Sequence, residues 1–302
     1  MLGSNGLVGS SISKTLKDSD LVSDLILSTR KQVNLFSFKE TSNLISESSP
    51  DIIINSAAKV GGIYANNTKR ADFIIDNLKI NLNVLESCIP NNKIKIINLG
   101  SSCIYPLNAT NPIKEKDFMN GSLEPTNSPY AMAKLSAIEI GRAMKSQYGH
   151  AIINLMPTNL YGPNDNFSEK ESHVIPGLIK RMYEAKLNNQ NEFHIWGTGK
   201  PLREFLYVDD LSKSIEYIIR NNINDDLLNI GSGEEITIFD LARKIRNVVN
   251  FKGELVFDDS KPDGNPRKFL DSSKINNYGW VPEVTLNEGL EKTFKWFINN
   301  AS

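Results

Sequence analysis

Cysteine and histidine are scarce in this chain of 302 residues, which has two of the former, Cys88 and Cys103, and three of the latter. Their spacing makes neither a disulfide framework nor a set of metal ligands, so no metal centre is expected. Charge of one sign is equally lacking, with 34 lysines and arginines against 35 aspartates and glutamates. A net charge near zero offers no broad field to nucleic acid or an anionic membrane, and an anionic ligand would have to be met by a few local cations. No apolar run approaches the roughly 20 residues of a membrane span. Repeats and low-complexity tracts are missing as well. The expectation is a soluble, cytoplasmic protein with room for one large or two small domains.

The first motif present is a glycine-spaced turn, Gly3-Ser4-Asn5-Gly6-Leu7-Val8-Gly9, running into a helical pattern. Glycines so spaced permit a tight turn, close approach of backbone to a pyrophosphate, and close helix packing. Such a turn ordinarily follows a strand of about five residues. Only Met1 and Leu2 precede Gly3, so a start further upstream is expected. Asp24 to Ser28 is a short apolar run suited to a second parallel strand, ending at Thr29-Arg30. An acid there would bind the ribose 2′-hydroxyl of NAD, whereas Arg30 suits the 2′-phosphate of NADP.

Asp51 to Asn55 reads as a third strand, Phe73 to Ile89 as a long helix and Lys95 to Leu99 as a fourth strand. Strands alternating with helices argue an α/β fold of Rossmann type, a doubly wound parallel sheet. The fourth strand delivers Leu99-Gly100-Ser101-Ser102-Cys103 at its carboxyl end, where ligands bind in such sheets. A helix follows from Tyr130 to about Gly149, with Tyr130 and Lys134 on one face at i and i+4. A cation beside a phenol favours the phenolate and brings its proton within catalytic range. Ala151 to Leu155 is a fifth strand, and the turn after it carries Pro157, Thr158, Asn159 and Leu160. The dinucleotide-binding domain is expected over 1–160, with 204–233 returning to it. A smaller C-terminal α/β substrate domain is expected over 161–203 and 234–302. It includes helices opening at His173, Val208 and Thr237, a cation-bearing loop from Lys261 to Lys268, and a final amphipathic helix around Leu290, Phe294 and Phe297.

In order and spacing, the glycine turn, the Ser101 segment and the Tyr130/Lys134 pair resemble the extended short-chain dehydrogenase/reductases. Longer strings narrow the resemblance to the GDP-L-fucose synthase family: Lys59 to Asn67, Gly100 to Pro106, Glu124 to Asn127, Met156 to Pro163, His173 to Pro176, Arg203 to Leu206, and Lys261 to Gly264 with Pro266 to Lys268. The resemblance implies epimerisation of GDP-4-keto-6-deoxy-D-mannose at C3 and C5, then reduction of C4 with NADPH to give GDP-L-fucose. It implies Cys103 as base and His173 as acid, with Ser101 and Tyr130 bonding the C4 oxygen. Lys134 would lower the Tyr130 pKa and hold the nicotinamide ribose. The cofactor would be held by Gly3 to Gly9, Arg30, Leu99 to Ser102, Lys134, Pro157 to Leu160 and His173. Arg181, Trp196, Arg203, Asp263 and Lys268 would bind the GDP portion.

Elementary chemistry agrees with these roles. A C4 ketone acidifies both flanking carbons, and a thiol near ~8.5 with an imidazole near ~6.5 can exchange protons at neutral pH. One departure concerns the cofactor: the family often carries a basic residue within the glycine turn, and Ser4 and Asn5 stand there. NADP preference therefore falls on Arg30. Family members commonly dimerise through two long helices, here Asp72 to Ile89 and Tyr130 to Tyr148. Two alternatives stay open, another nucleotide-sugar reductase or epimerase of the same fold and a non-catalytic NADP(H)-sensing regulator.

Overall fold

The computed structural model describes residues 1–169, 171–260 and 263–300. Met1 and Leu2 begin the chain alongside two neighbours. Leu2 forms parallel bridges to Ser28 on one side and Asn55 on the other, and its N–H donates to Ile54 O at 2.9 Å. The run from Asp24 to Ser28, expected as a full strand, has only this bridge at Ser28.

From the glycine turn the chain enters α1 (Leu7–Lys17), then α2 (Phe38–Ser48) and β1 (Ile52–Asn55). α3 (Ile63–Thr68) and α4 (Arg70–Cys88) lead to β2 (Lys95–Leu99). α5 (Ser128–Tyr148) opens with Pro129 in its first turn and stops at the left-handed Gly149, leading to β3 (Ile152–Pro157). The strands pair in parallel, in the order β1, β2, β3. Both faces are covered: α1 lies on one side with Ile12 and Leu16 buried, and α2, α4 and α5 lie on the other with Ile45, Val84, Leu85 and Met144. That explains the near-continuous isoleucine runs in these strands.

β4 (Asn159–Tyr161) leaves this sheet and begins a second unit with α6 (Val174–Leu187), β5 (Glu192–Trp196) and β6 (Leu202–Tyr207). α7 (Val208–Arg220) turns back to pack beside α1, and β7 (Leu227–Ile230) joins β3 in parallel to complete the four-stranded sheet. The chain then returns through β8 (Glu235–Thr237), α8 (Ile238–Val249), β9 (Glu254–Asp258), β10 (Arg267–Lys268), α9 (Ser273–Asn277) and α10 (Leu286–Asn300). β6 pairs with β10 and β8 on opposite edges over Leu202 and Arg203 and with β4 over Phe205 to Tyr207, and β5 pairs with β9. A separate aromatic-rich core, including Tyr161, Phe167, Phe193, Phe205, Phe251 and Phe297, holds this smaller unit. The first two residues of the expected loop from Lys261 lie outside the described residues.

A row of buried amides crosses the main sheet at one register. Asn98 Nδ2 donates to Asn154 Oδ1 at 3.1 Å, Asn55 Nδ2 to Asn98 Oδ1 at 3.4 Å and to Asn81 Oδ1 on α4 at 3.3 Å. Each amide satisfies the next, so the polar row is tolerated inside an apolar sheet. Asn98→Leu removes the middle member and strands buried groups on both neighbours. It is expected to lower stability by about 2–3 kcal/mol, read as a shift in the urea unfolding midpoint.

Candidate active site

The glycine turn is built by close approach rather than by taste for flexibility. A Cβ on Gly9 would sit 1.9 Å from Gly3 O, and one on Gly3, at φ +79°, would sit 2.8 Å from the Ala57 backbone. Gly6 is different: a Cβ there would meet nothing within 4 Å. The protein itself does not require glycine at that position, but a ligand approaching the backbone would. Gly6 is the N-cap of α1, with no side-chain cap and no acid in the first turn, so the helix end is left to an anion. Ser4 is buried and its Oγ donates to Ser28 O at 3.2 Å, which also accepts from Gly3 N and Ser4 N. Exposed Arg30 lies two residues further, its guanidinium 5.4 Å from the centre of the Phe36 ring. This cradle fits a dinucleotide with a phosphorylated ribose.

At the carboxyl end of β2 the backbone makes a short 3-10 turn, Ser102–Ile104. Ser101 Oγ accepts from Cys103 N at 3.2 Å, which fixes the hydroxyl, and it also hydrogen-bonds Tyr130. Ser102 and Gly100 are packed inward, Gly100 leaving room for the Met156 side chain. Tyr130 stands in the first turn of α5, its ring edge against Phe73 of α4 at 6.3 Å. Burial pushes the Tyr130 phenol above its ordinary value, and a Cys103 thiolate nearby adds to that, against the Ser101 hydrogen bond.

Lys134 is buried at 3% exposure, and burial brings its pKa down to about 8. It does not pull Tyr130 toward the phenolate, as the i, i+4 spacing led one to expect. Its Nζ donates to Leu99 O at 2.7 Å and stands 5.9 Å from the Tyr130 ring centre, so the desolvation of the phenol prevails.

His173 is the N-cap residue of α6 and is solvent-accessible, yet the surrounding protein disfavours the imidazolium and holds its pKa below the usual value. The segment before it is seated on the Gly61-Gly62 loop: Gly62 N donates to Glu171 O at 3.0 Å, and Lys69 pairs with Glu171. That loop is itself tied to α4, where Asn77 Oδ1 accepts from Lys59 N and Asn77 Nδ2 donates to Lys59 O, both at 3.0 Å. The turn after β3 is anchored likewise, with Thr158 Oγ1 and Asn159 Nδ2 donating to Glu204 O at 3.2 and 2.8 Å.

Of the residues expected at a GDP group, Arg181 is half-buried with its guanidinium 5.3 Å from the Phe193 ring centre, and Arg203 projects from β6. Burial lowers both guanidinium pKa values, against the nearby carboxylates Glu169 and Glu184 for Arg181 and Asp263 for Arg203. Trp196 is 66% exposed at the end of β5. Asp263 is engaged with the adjoining turn, accepting from Thr198 N at 2.7 Å and Thr198 Oγ1 at 2.8 Å. Lys268 has its Nζ 3.4 Å from Cys103 Sγ. Asn127, which no sequence pattern singled out by itself, donates from Nδ2 to the same sulfur at 3.5 Å. It is the N-cap residue of α5, but its side chain does not cap the helix.

Comparison with known proteins follows the same lines. The model of the NAD dependent epimerase/dehydratase family matches residues 1–231. The chain is 46% identical to GDP-L-fucose synthase 1 of Arabidopsis thaliana over 99% of its own length and 92% of that protein's. It is 42% identical to GDP-L-fucose synthase of Escherichia coli, over 99% and 95%. A crystal structure of a GDP-L-fucose synthetase from Naegleria fowleri bound to NADP superposes with a TM-score of 0.89 at 28% identity, covering 99% of this chain and 93% of that one.

Gly62 tests how the His173 segment is placed. A Cβ at Gly62 would fall 2.4 Å from Ser172 O, a backbone atom that must then move. Gly62→Ala is expected to shift the segment that carries His173 and to cost at least about tenfold in kcat, with little change in the melting temperature. Steady-state kinetics beside a thermal melt check it.

Proposed function

The chain belongs to the NAD dependent epimerase/dehydratase family, in its GDP-L-fucose synthase branch, and from this premise we propose that it converts GDP-4-keto-6-deoxy-D-mannose to GDP-L-fucose with NADPH. The observation that carries the proposal is the convergence of Ser101, Cys103 and Tyr130 at the carboxyl end of β2. In this reading 161–203 and 234–302 bind the nucleotide sugar, and Arg181, Arg203 and Trp196 meet its GDP portion.

The epimerisation needs a base, an acid and a donor to the C4 oxygen. Cys103 takes the proton from C3 or C5 as the electron pair moves into the C4 carbonyl. The resulting enolate oxygen is met by the Ser101 hydroxyl and the Tyr130 phenol, two fixed donors at the place where charge develops. His173 returns a proton to the opposite face of the carbon, so each inversion consumes one imidazolium proton and leaves one thiol proton. The raised pKa of Tyr130 suits this stage, because a phenol must remain protonated to donate. NADPH, when bound, supplies the hydride that reduces C4. Tyr130 then gives its proton to the C4 alkoxide, while Lys134 keeps a positive charge beside the reacting groups. The cradle at Gly6 and Arg30 supports the choice of NADPH.

The reading extends to a homodimer through α4 and α5, supported by Ile75, Leu82 and Met132, each 46–48% exposed on those helices. Leu82→Glu is expected to halve the mass seen by light scattering; an unchanged mass removes that surface from consideration. For the reaction, absorbance at 340 nm should fall when enzyme and NADPH meet GDP-4-keto-6-deoxymannose, and NMR should identify GDP-L-fucose. Tyr130→Phe is expected to lower kcat at least about 100-fold. Cys103→Ser should stall exchange at C3 and C5. A different sugar product, or full turnover by Tyr130→Phe, overturns the proposal. Lys134 is charged below about pH 8 and loses its proton above it. The profile of kcat/KM, which reports free-enzyme groups, is therefore expected to decline as pH rises through about 8.

A further inference from the structure

Lys268 and Cys103 lie 165 residues apart in the chain, and the fold sets them against each other. The sulfur receives two N–H donors, Lys268 Nζ at 3.4 Å and Asn127 Nδ2 at 3.5 Å. Both donors are held by backbone fixed elsewhere. Lys268 is on β10, in register with Arg203 of β6. The residues after it are pinned twice more: Phe269 N donates to Asn111 Oδ1 at 2.8 Å, and Leu270 N to Glu204 Oε2 at 3.1 Å. Glu124 Oε2 accepts from Asn127 N at 3.1 Å. The Asn127 side chain forgoes the capping bond that asparagine usually makes at a helix start, and its buried Oδ1 has no partner among the described residues. Lys268 makes no ion pair with a carboxylate among the described residues. Its charge is directed to sulfur.

We propose that Lys268 is a positioning residue for Cys103, its ammonium holding the sulfur as the thiolate that abstracts the C3 and C5 protons. The inference rests on the reading of Cys103 as the epimerisation base. An N–H donor to a thiol stabilises little, whereas one to a thiolate is charge-assisted and strong. The thiolate is also the form that reacts, and a lysine beside sulfur favours it. Asn127 adds a neutral donor that fixes the direction of the remaining sulfur lone pair.

The test measures the sulfur without any substrate. Iodoacetamide at pH 7 alkylates exposed thiolates, and Cys88, fully buried with its thiol pushed up to about 12, stays silent. Labelling followed by mass spectrometry thus reports Cys103, with Cys103→Ser as the blank. Lys268→Met is expected to slow labelling about tenfold, and to slow deuterium wash-in at C3 and C5 by a similar factor. Lys268→Arg, which keeps the charge, should regain most of the labelling rate and guards against a misfolded Met variant. Unchanged labelling in Lys268→Met overturns the inference. If the wild-type enzyme failed to turn over the sugar nucleotide, the proposed reaction would fall, while the labelling contrast would still decide the Lys268–Cys103 contact.

Discussion

The carboxylate of Glu204 joins the two units of the molecule. It is fully buried, and its oxygens accept from Gly233 N at 2.9 Å and Leu270 N at 3.1 Å. Burial raises its pKa, and the backbone donors work against that. A charge in such a place is tolerable only because those fixed N–H groups take over from water. The backbone carbonyl of the same residue receives Thr158 and Asn159. One residue thereby sets the turn after β3, the loop after β7 and the strand that carries Lys268. Gly231 is part of the arrangement, since a Cβ there would lie 2.3 Å from Glu204 Oε1.

This junction explains how residues from distant stretches can be aligned to catalytic tolerance. The main sheet supplies Ser101 and Cys103 from its carboxyl edge, and its rigidity comes from being apolar on both faces with an amide row locked through it. The smaller unit contributes β6 and β10, whose register places Lys268 beside Arg203. Without Glu204, β10 would be a two-residue strand with little to hold it. With it, β10 is bonded on one side to β6 and followed on the other by the Ile113–Leu270 bridge. The Lys268 ammonium is therefore set against the Cys103 sulfur by the same hydrogen bonds that hold the units together.

The regular parts of the fold were legible because they are local. The helix expected from Tyr130 is α5, opened by Pro129 and closed by Gly149, and Lys95 to Leu99 is β2 residue for residue. Apolar runs and punctuating glycines carry that information. β5 and β9 were not legible: each is a strand because of the other, some 60 residues away. The run at Asp24 differs in the opposite sense: it has strand-forming residues, and among the described residues it pairs at Ser28 alone, with Leu2 and Met1. In the site, Tyr130, Lys134 and Ser101 announce themselves by spacing within one helix or at one strand end. The Lys268–Cys103 contact leaves no such mark, because it depends on how β10 meets β6. Asn127 is masked for a related reason: an asparagine at a helix start reads as a cap, and only its neighbours in space show that the side chain goes to sulfur instead.

The charges of the site make sense as a set rather than singly. In the proposed reaction a Cys103 thiolate and a protonated phenol at Tyr130 support each other, since a negative sulfur is one of the causes that raise the phenol above its ordinary value. Lys134 does not undo this, because its ammonium is spent on Leu99 O instead of the phenol. In the proposed reaction the balance changes when the sulfur accepts its proton. The negative charge then resides on the sugar oxygen, between Ser101 and Tyr130, and the sulfur no longer holds the phenol up. Proton donation from Tyr130 thus becomes easier after carbon acid chemistry has begun. The same two side chains can in this way serve first as an oxyanion donor pair and later as the proton source for the reduced C4 oxygen. The neutral imidazole favoured at His173 fits the sequence of events as well. It must take up a proton from solvent before each inversion, and its accessibility at the start of α6 gives that proton a route.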